Sequence, residues 1–247
     1  MAKRNKYDLA RDIPEPIKRQ VRQACGFGCV VCGASIIDYE HVDPVFAEAQ
    51  EHDPEKIALL CPQHHAKVTR GFLSKDTVKE AMHDPFCKKR GYASEFLDIG
   101  KSDPVIQFGG VTIYACSIPI EVKGVPLFEV KEAEEDGGPF RLSGNFCNAR
   151  GNPSLAIIDN EWRAFGTNWD VEVVGSAITI RDSPNHVSLR LVAAPPNSVV
   201  IEELDMYLSG YRFVGSPGEL VFQNPAGGRI KATGWIAHSC RVGLSLE

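Results

Sequence analysis

The residues with the plainest chemistry in this chain are Cys29-Val30-Val31-Cys32-Gly33 and Cys61-Pro62-Gln63-His64. Two thiolates three positions apart reach one metal ion, and the glycine after them relaxes the turn so that backbone amides can approach the sulfurs. The second segment, twenty-nine residues after Cys32, supplies one more thiolate and one imidazole. Cys29, Cys32, Cys61 and His64 together make the ligand set of a closed, tetrahedral, structural zinc site. Ordinary buried thiols have no reason to fall into two such segments. Cys25 stands four positions before Cys29 without the two-residue spacer and reads as core at a helix end. Cys87, Cys116, Cys147 and Cys240 have no partners in sequence and read as core or surface thiols.

Two histidines do not belong to that ligand set. His41 lies between the two half-sites in Asp38-Tyr39-Glu40-His41-Val42-Asp43-Pro44. His65 directly follows the fourth ligand, so its ring should leave the zinc and point elsewhere.

In this combination the chain resembles the HNH endonucleases over roughly residues 20–75. The matching positions are Cys29 and Cys32, Glu40-His41-Val42 with Pro44, Ile57, Leu60-Cys61, His64-His65 and Lys67. The resemblance implies a ββα-metal fold in which His41 ends a strand, His65 starts a helix, and both face one divalent ion. It also implies that His41 is the general base, taking a proton from the water that attacks phosphorus. Glu40 and His65 would then hold the catalytic ion, which stabilises charge on the phosphoryl and leaving oxygens. Magnesium favours oxygen ligands, whereas manganese, nickel or zinc accept the imidazole of His65 more readily.

Two positions depart from the family pattern. Lys56 stands where the family has its middle Asn, and it can neither ligate a cation nor accept a hydrogen bond while charged. His52 or Asp53, in Glu51-His52-Asp53-Pro54, can take over the bracing of that loop, although His52 reads first as a solvated loop residue. His64 replaces a customary Cys, and imidazole is an ordinary zinc ligand.

Helices and strands must hold these groups in place. Residues 14–24 form a short amphipathic helix opened by proline, with Ile17, Val21 and Ala24 on one face and Lys18, Arg19 and Arg22 turned away. Ser74 caps a second helix carrying Val78, Ala81 and Met82, and Pro85 bounds it. From about Ile106 the texture changes to short β-branched runs separated by Gly-, Pro- and Asn-rich turns. Spacings near ten residues favour an antiparallel sandwich, with a β-solenoid as the alternative. The expected fold is therefore α+β: a zinc-stapled nuclease module with flanking helices over residues 1–101, then an all-β domain over 102–247. Trp162 and Trp169 read as core of that β domain rather than as base-stacking platforms.

Charge is unevenly spread. Residues 1–22 hold seven basic against three acidic side chains, and residues 56–90 hold eight against three. Residues 102–247 hold eleven against seventeen, and the whole chain carries a net charge of -5. That balance excludes a protein that coats nucleic acid indiscriminately and leaves the first part as the one built for phosphates. Lys67, Arg70 and Lys75, with Lys79 beyond them, are the candidate phosphate contacts beside His65.

No run approaches the roughly 18 apolar residues of a membrane span, and the first residues lack the apolar stretch of a signal peptide, so a cytoplasmic protein is expected. The expected activity is metal-dependent hydrolysis of phosphodiester bonds in DNA. One centre per chain suits a nickase, or a dimeric cutter of the kind found in defence systems and mobile elements. The β domain is then the place for oligomerisation, a protein partner or regulation. The competing expectation is a zinc-ribbon DNA-binding adaptor in which Lys56 marks weakened catalysis.

Overall fold

Pro14 opens the first helix, α1 (Glu15–Cys25), in the computed structural model of the chain, which describes residues 4–247. Val21 and Cys25 are buried, and Gly26 ends the helix in the left-handed region at φ 74°. The chain then turns through Cys29 to Cys32 and enters β1 (Asp38–His41). After a loop and a short 3-10 turn (Pro54–Lys56) it returns as β2 (Ile57–Leu60), antiparallel to β1, with Glu40 opposite Ala58 and His41 opposite Ile57.

All four residues of β2 are buried, so this strand is the middle of the first core. Ile13, Val21, Val30, Val42 and Val78 pack around it. Cys61 caps the next helix, α2 (Pro62–Thr69), and Ser74 caps α3 (Lys75–His83) by accepting a hydrogen bond from the Thr77 amide at 3.1 Å. The short α4 (Phe86–Arg90) and β3 (Tyr92–Phe96) follow.

The chain divides into two compact units. One runs up to Glu95 and also takes in Ala164–Asp170; the other comprises Phe96–Arg163 and Val171–Glu247. Asp170 therefore lies in the same unit as Arg22, 148 residues earlier. The guanidinium donates from Nε and Nη2 to the two carboxylate oxygens at 2.8 and 2.7 Å, and further to Tyr39 Oη and Glu15 Oε1. Burial opposes the charge on Arg22, yet the hydrogen bond to Asp170 and its neighbours outweigh it and raise the pKa. A bidentate pair with its remaining donors satisfied is the form in which a buried ion pair survives.

The second unit is β throughout, although Ala164 and Phe165, the last two residues of one of its strands, and Asp170, the first of the next, belong to the first unit. Its strands are β4 (Val105–Phe108), β5 (Val111–Val122), β6 (Val125–Lys131), β7 (Arg141–Cys147), β8 (Pro153–Ile158), β9 (Glu161–Phe165), β10 (Asp170–Val174) and β11 (Ala177–Ser183). There follow β12 (His186–Ala194), β13 (Ser198–Leu208), β14 (Tyr211–Ser216), β15 (Glu219–Gln223), β16 (Arg229–Ala232) and β17 (Trp235–Leu246). Hydrogen bonding links them along one path, β10-β11-β12-β13-β4-β5-β6-β7-β8-β9, with β14 to β16 branching from β13 and β17 from β5. Most neighbours are antiparallel, whereas β13 with β4 and β17 with β5 are parallel.

The turn spacing implied two facing sheets; the strands instead form one continuous curled sheet, because the parallel β13–β4 pair joins two antiparallel meanders that local pattern leaves separate. Phe108, Phe128 and Phe146 fill its centre, with Phe128 edge-on to both other rings at 5.7 Å. Gly109 and Gly110 turn β4 into β5 against backbone: a Cβ on Gly109 would fall 2.2 Å from the Glu219 carbonyl oxygen.

Trp162 is buried, as expected of a core residue. Trp169 belongs to the first unit, where its ring lies under the Arg19 guanidinium at 4.8 Å and its carbonyl accepts from Gln23. Cys116 and Cys240, without partners in sequence, face each other across β5 and β17. No helix among the described residues is long and apolar enough to cross a membrane.

Removing one member of the buried pair leaves a charge without its counterion. Arg22→Ala is expected to lower unfolding free energy by about 3–5 kcal/mol, whereas Arg22→Met combined with Asp170→Leu should cost far less. Urea titration of the full chain and its variants measures both.

Candidate metal centre and active-site cleft

The first site is assembled by a turn and a helix start. In the Cys29–Cys32 turn, the Gly33 amide donates to the Cys29 carbonyl and the Cys29 amide to the Ala34 carbonyl, both at 2.8 Å. Gly33 sits at φ 81°, a conformation that side chains disfavour. The other half comes from the first turn of α2, where Cys61 is the cap and His64 the third helical residue.

Cys29 Sγ, Cys32 Sγ, Cys61 Sγ and a ring nitrogen of His64 all lie within 4.8 Å of one another. His64 Nδ1 is 3.5 Å from Cys29 Sγ and 3.1 Å from Cys61 Sγ, and Cys32 Sγ is 3.8 Å from Cys61 Sγ. Ligands bound to one zinc at ~2.3 Å through sulfur and ~2.0–2.1 Å through nitrogen stand about 3.5–3.8 Å apart at tetrahedral corners. The four side chains thus fit a single four-coordinate ion such as zinc.

The Cys32 thiol hydrogen lies on Cys29, which lowers the pKa of Cys29 and raises that of Cys32. Cys25 stands apart, buried at the end of α1 with its thiol pushed up to about 11 by desolvation.

The second constellation lies on β1 and α2. Glu40 Oε2 is 3.1 Å from His65 Nε2, and Asp38 Oδ2 is 3.8 Å from His65 Nδ1. Two ligands at right angles on an ion with ~2.1 Å bonds are separated by about 3 Å, so Glu40 and His65 suit neighbouring positions on one divalent cation. A carboxylate oxygen and an imidazole are also an acceptable donor pair for such an ion.

His41 ends β1 and is only 7% exposed. Its ring meets Phe46 edge-on at 5.4 Å, and its Nε2 lies 3.0 Å from His52 Nδ1. Burial, then the neighbouring His52, lowers the His41 pKa to about 4 although Glu40 pulls the other way. His41, Glu40 and Lys75 line one cleft of about 470 Å³ with Arg11, Lys18 and Phe46.

His52 corrects the sequence expectation. It is 8% exposed rather than solvated, and its Nε2 lies 3.0 Å from the Ala10 carbonyl oxygen. That oxygen can only accept, so a neutral His52 carries its proton on Nε2 and presents a lone pair at Nδ1. Neutral His41 must then donate from Nε2, which leaves its Nδ1 as the basic nitrogen. The loop bracing falls to other residues: Asp53 Oδ1 accepts from the Glu55 amide at 2.9 Å, and the Lys56 carbonyl accepts from the Val42 amide at 2.9 Å.

The basic residues behave differently from one another. Lys67 and Arg70 are exposed and carry no ion pair among the described residues. Lys75 turns inward instead, donating to Glu40 Oε1 at 2.6 Å and to the His41 carbonyl at 2.5 Å. Lys79 pairs with Asp43 at 2.9 Å. Arg11 and Lys18 line the cleft and escaped the sequence reading, because nothing local connects that basic N-terminal stretch to His41.

No family model, curated protein or solved structure matches this chain.

The chain purified without chelators is expected to carry one tightly held zinc by elemental analysis. Cys61→Ser should lose that metal and unfold the first unit, while His65→Ala should keep it. A folded, metal-free protein would contradict the four-ligand site.

Proposed function

We propose that this chain is a metal-dependent endonuclease of the HNH type that hydrolyses phosphodiester bonds in DNA, with zinc in the Cys29, Cys32, Cys61, His64 cluster. The observation that carries the reading is the meeting of Glu40 and His65 at 3.1 Å beside buried His41, on a strand pair and helix tied to the cysteine cluster. Supporting it is a cleft lined by Arg11, Lys18 and Lys75 against Asp12 and Glu40, with Lys18 paired to Asp12 at 3.1 Å and Lys75 to Glu40 at 2.6 Å, which leaves the positive charge of Arg11 in excess.

In this reading Glu40 and His65 hold a divalent ion, which supplies charge stabilisation at the phosphoryl and leaving oxygens. The chain's own residues do the rest. His41 takes the proton of the attacking water at Nδ1, the nitrogen left basic by its contact with His52. Its lowered pKa keeps it unprotonated before substrate arrives, and the negative charge of a phosphodiester beside the ring raises its proton affinity during the step. His52 fixes the His41 tautomer and orientation, the service that a carbonyl or carboxylate performs for other catalytic histidines. Arg11 and Lys18 bind the phosphate backbone at the cleft, and exposed Lys67 and Arg70 extend that surface. One centre per chain cuts one strand.

Lys75 favours a second reading, a DNA-binding adaptor with weakened catalysis. Its ammonium occupies the other oxygen of Glu40 and neutralises the carboxylate that the ion needs. In the nuclease reading Lys75 gives way to the ion and turns to the substrate.

The deciding assay is incubation of supercoiled plasmid with the zinc-loaded chain and magnesium, manganese or nickel. Open circles are expected. His41→Ala should slow their formation by about 10²–10⁴-fold without changing zinc content, and His52→Ala by roughly tenfold or more. Salt-sensitive binding with no cleavage under any metal would favour the adaptor.

A further inference from the structure

The second unit contains a cysteine pair that the nuclease reading does not use. Cys116 in β5 and Cys240 in β17 are directly opposite in the parallel register, and their sulfurs are 2.8 Å apart. Sequence separates them by 124 residues. Both strands are distorted at the same level: Ala115 and Ser239, the residues immediately before the two cysteines, adopt φ 49° and φ 54°. Non-glycine residues at positive φ are costly, and two of them side by side on paired strands are uncommon. The ladder takes every second pair here, from His238↔Tyr114 through Cys240↔Cys116 to Leu244↔Ile120. As directly opposite partners on paired strands, the two thiols leave the sheet on the same side.

The strand that Cys240 sits on pairs with β5 alone among the described strands. β17 runs parallel along β5 from Val111 to Val122, and Leu246 is its one buried residue. Trp235 and Ile236 at its start are 44% and 67% exposed. Its attachment therefore rests mainly on backbone hydrogen bonds and on side-chain contacts such as the stacking of His238 on Tyr114 at 5.1 Å. Parallel pairing is the weaker kind per residue.

We propose that Cys116 and Cys240 are a redox-closable pair, and that their disulfide clamps the C-terminal strand β17 onto β5. The sulfurs need to approach by less than about 1 Å to reach bonding distance. With a peroxide as oxidant, the half-buried Cys240 thiol is the one reached first. Its sulfur takes one peroxide oxygen, giving a sulfenic acid and one water. The buried Cys116 thiol then displaces the hydroxyl group, forming the S–S bond and a second water. Two thiols lose two electrons and two protons, and the peroxide is reduced to water. A dithiol reverses the step by thiol–disulfide exchange.

The test uses the full, zinc-loaded chain, reduced and then exposed to graded hydrogen peroxide. Free thiols are blocked by alkylation before proteolysis and peptide mass mapping. A Cys116–Cys240 linked peptide is expected at lower peroxide than any oxidation of Cys147, a half-buried cysteine that serves as internal control. It should disappear on reduction, and in Cys240→Ser the Cys116 thiol should remain alkylatable. Hydrogen exchange of the β17 amides should slow at least tenfold on oxidation in the parent chain and stay unchanged in Cys240→Ser. Oxidised Cys147 alongside fully alkylated Cys116 and Cys240 would overturn the pair. A linked peptide with unaltered β17 exchange would overturn the clamp.

Discussion

Cys29, Cys32, Cys61 and His64 bring two segments of the first unit to within 4.8 Å, and the chemically active groups hang from that closure. The cap of α2 is itself Cys61, so the same residue that offers a ligand also sets where the helix begins. His65 follows one residue after His64 and is thereby aimed away from the cluster and toward Glu40 on β1. β2 enters the cluster directly from the buried run Ile57–Leu60, and its pairing with β1 fixes the height of Glu40 and His41. A metal in this position does for a small unit what a larger core does elsewhere, because its binding free energy is folding free energy.

A second layer of order comes from polar contacts that reach far along the chain. Arg22 and Asp170 close a loop of 148 residues through a bidentate pair, with Tyr39 on the strand of the candidate site as a further partner of the same guanidinium. His52 plays the corresponding part for His41. Its ring lies between the Ala10 carbonyl oxygen and His41, so with His52 neutral one backbone oxygen in the N-terminal stretch selects which nitrogen of a buried histidine stays basic. Proton positions follow here from acceptor-only chemistry at one end of a short chain of hydrogen bonds.

The parts of this arrangement that were legible in sequence share a local signature. The cysteine spacing, the proline at the start of α1 and the serine cap of α3 all act within a few residues and are found where the pattern puts them. What was not legible depends on distant partners. His52 looks like a loop residue because the groups that hold its ring, His41 and the Ala10 carbonyl, are distant in sequence. The membership of Ala164–Asp170 in the first unit has no compositional mark, and Trp169 was accordingly read with the β domain. Strand count and turns were visible, but the parallel β13–β4 pairing that makes one curled sheet is a non-local choice that periodicity does not encode. Lys75 was read as a phosphate contact, and only the pairing of α3 with β1 residues reveals that its ammonium rests on Glu40.

The central proposal is that Glu40 and His65 would hold a divalent cation at a site distinct from the cysteine cluster. Titration of the zinc-loaded chain with Mn²⁺, followed by electron paramagnetic resonance of the free ion, tests it directly. One Mn²⁺ per chain is expected, lost in Glu40→Gln and in His65→Ala while zinc stays bound, and tightened in Lys75→Ala as the competing ammonium is removed. Binding that is absent in the parent chain, or unchanged in those variants, would contradict it.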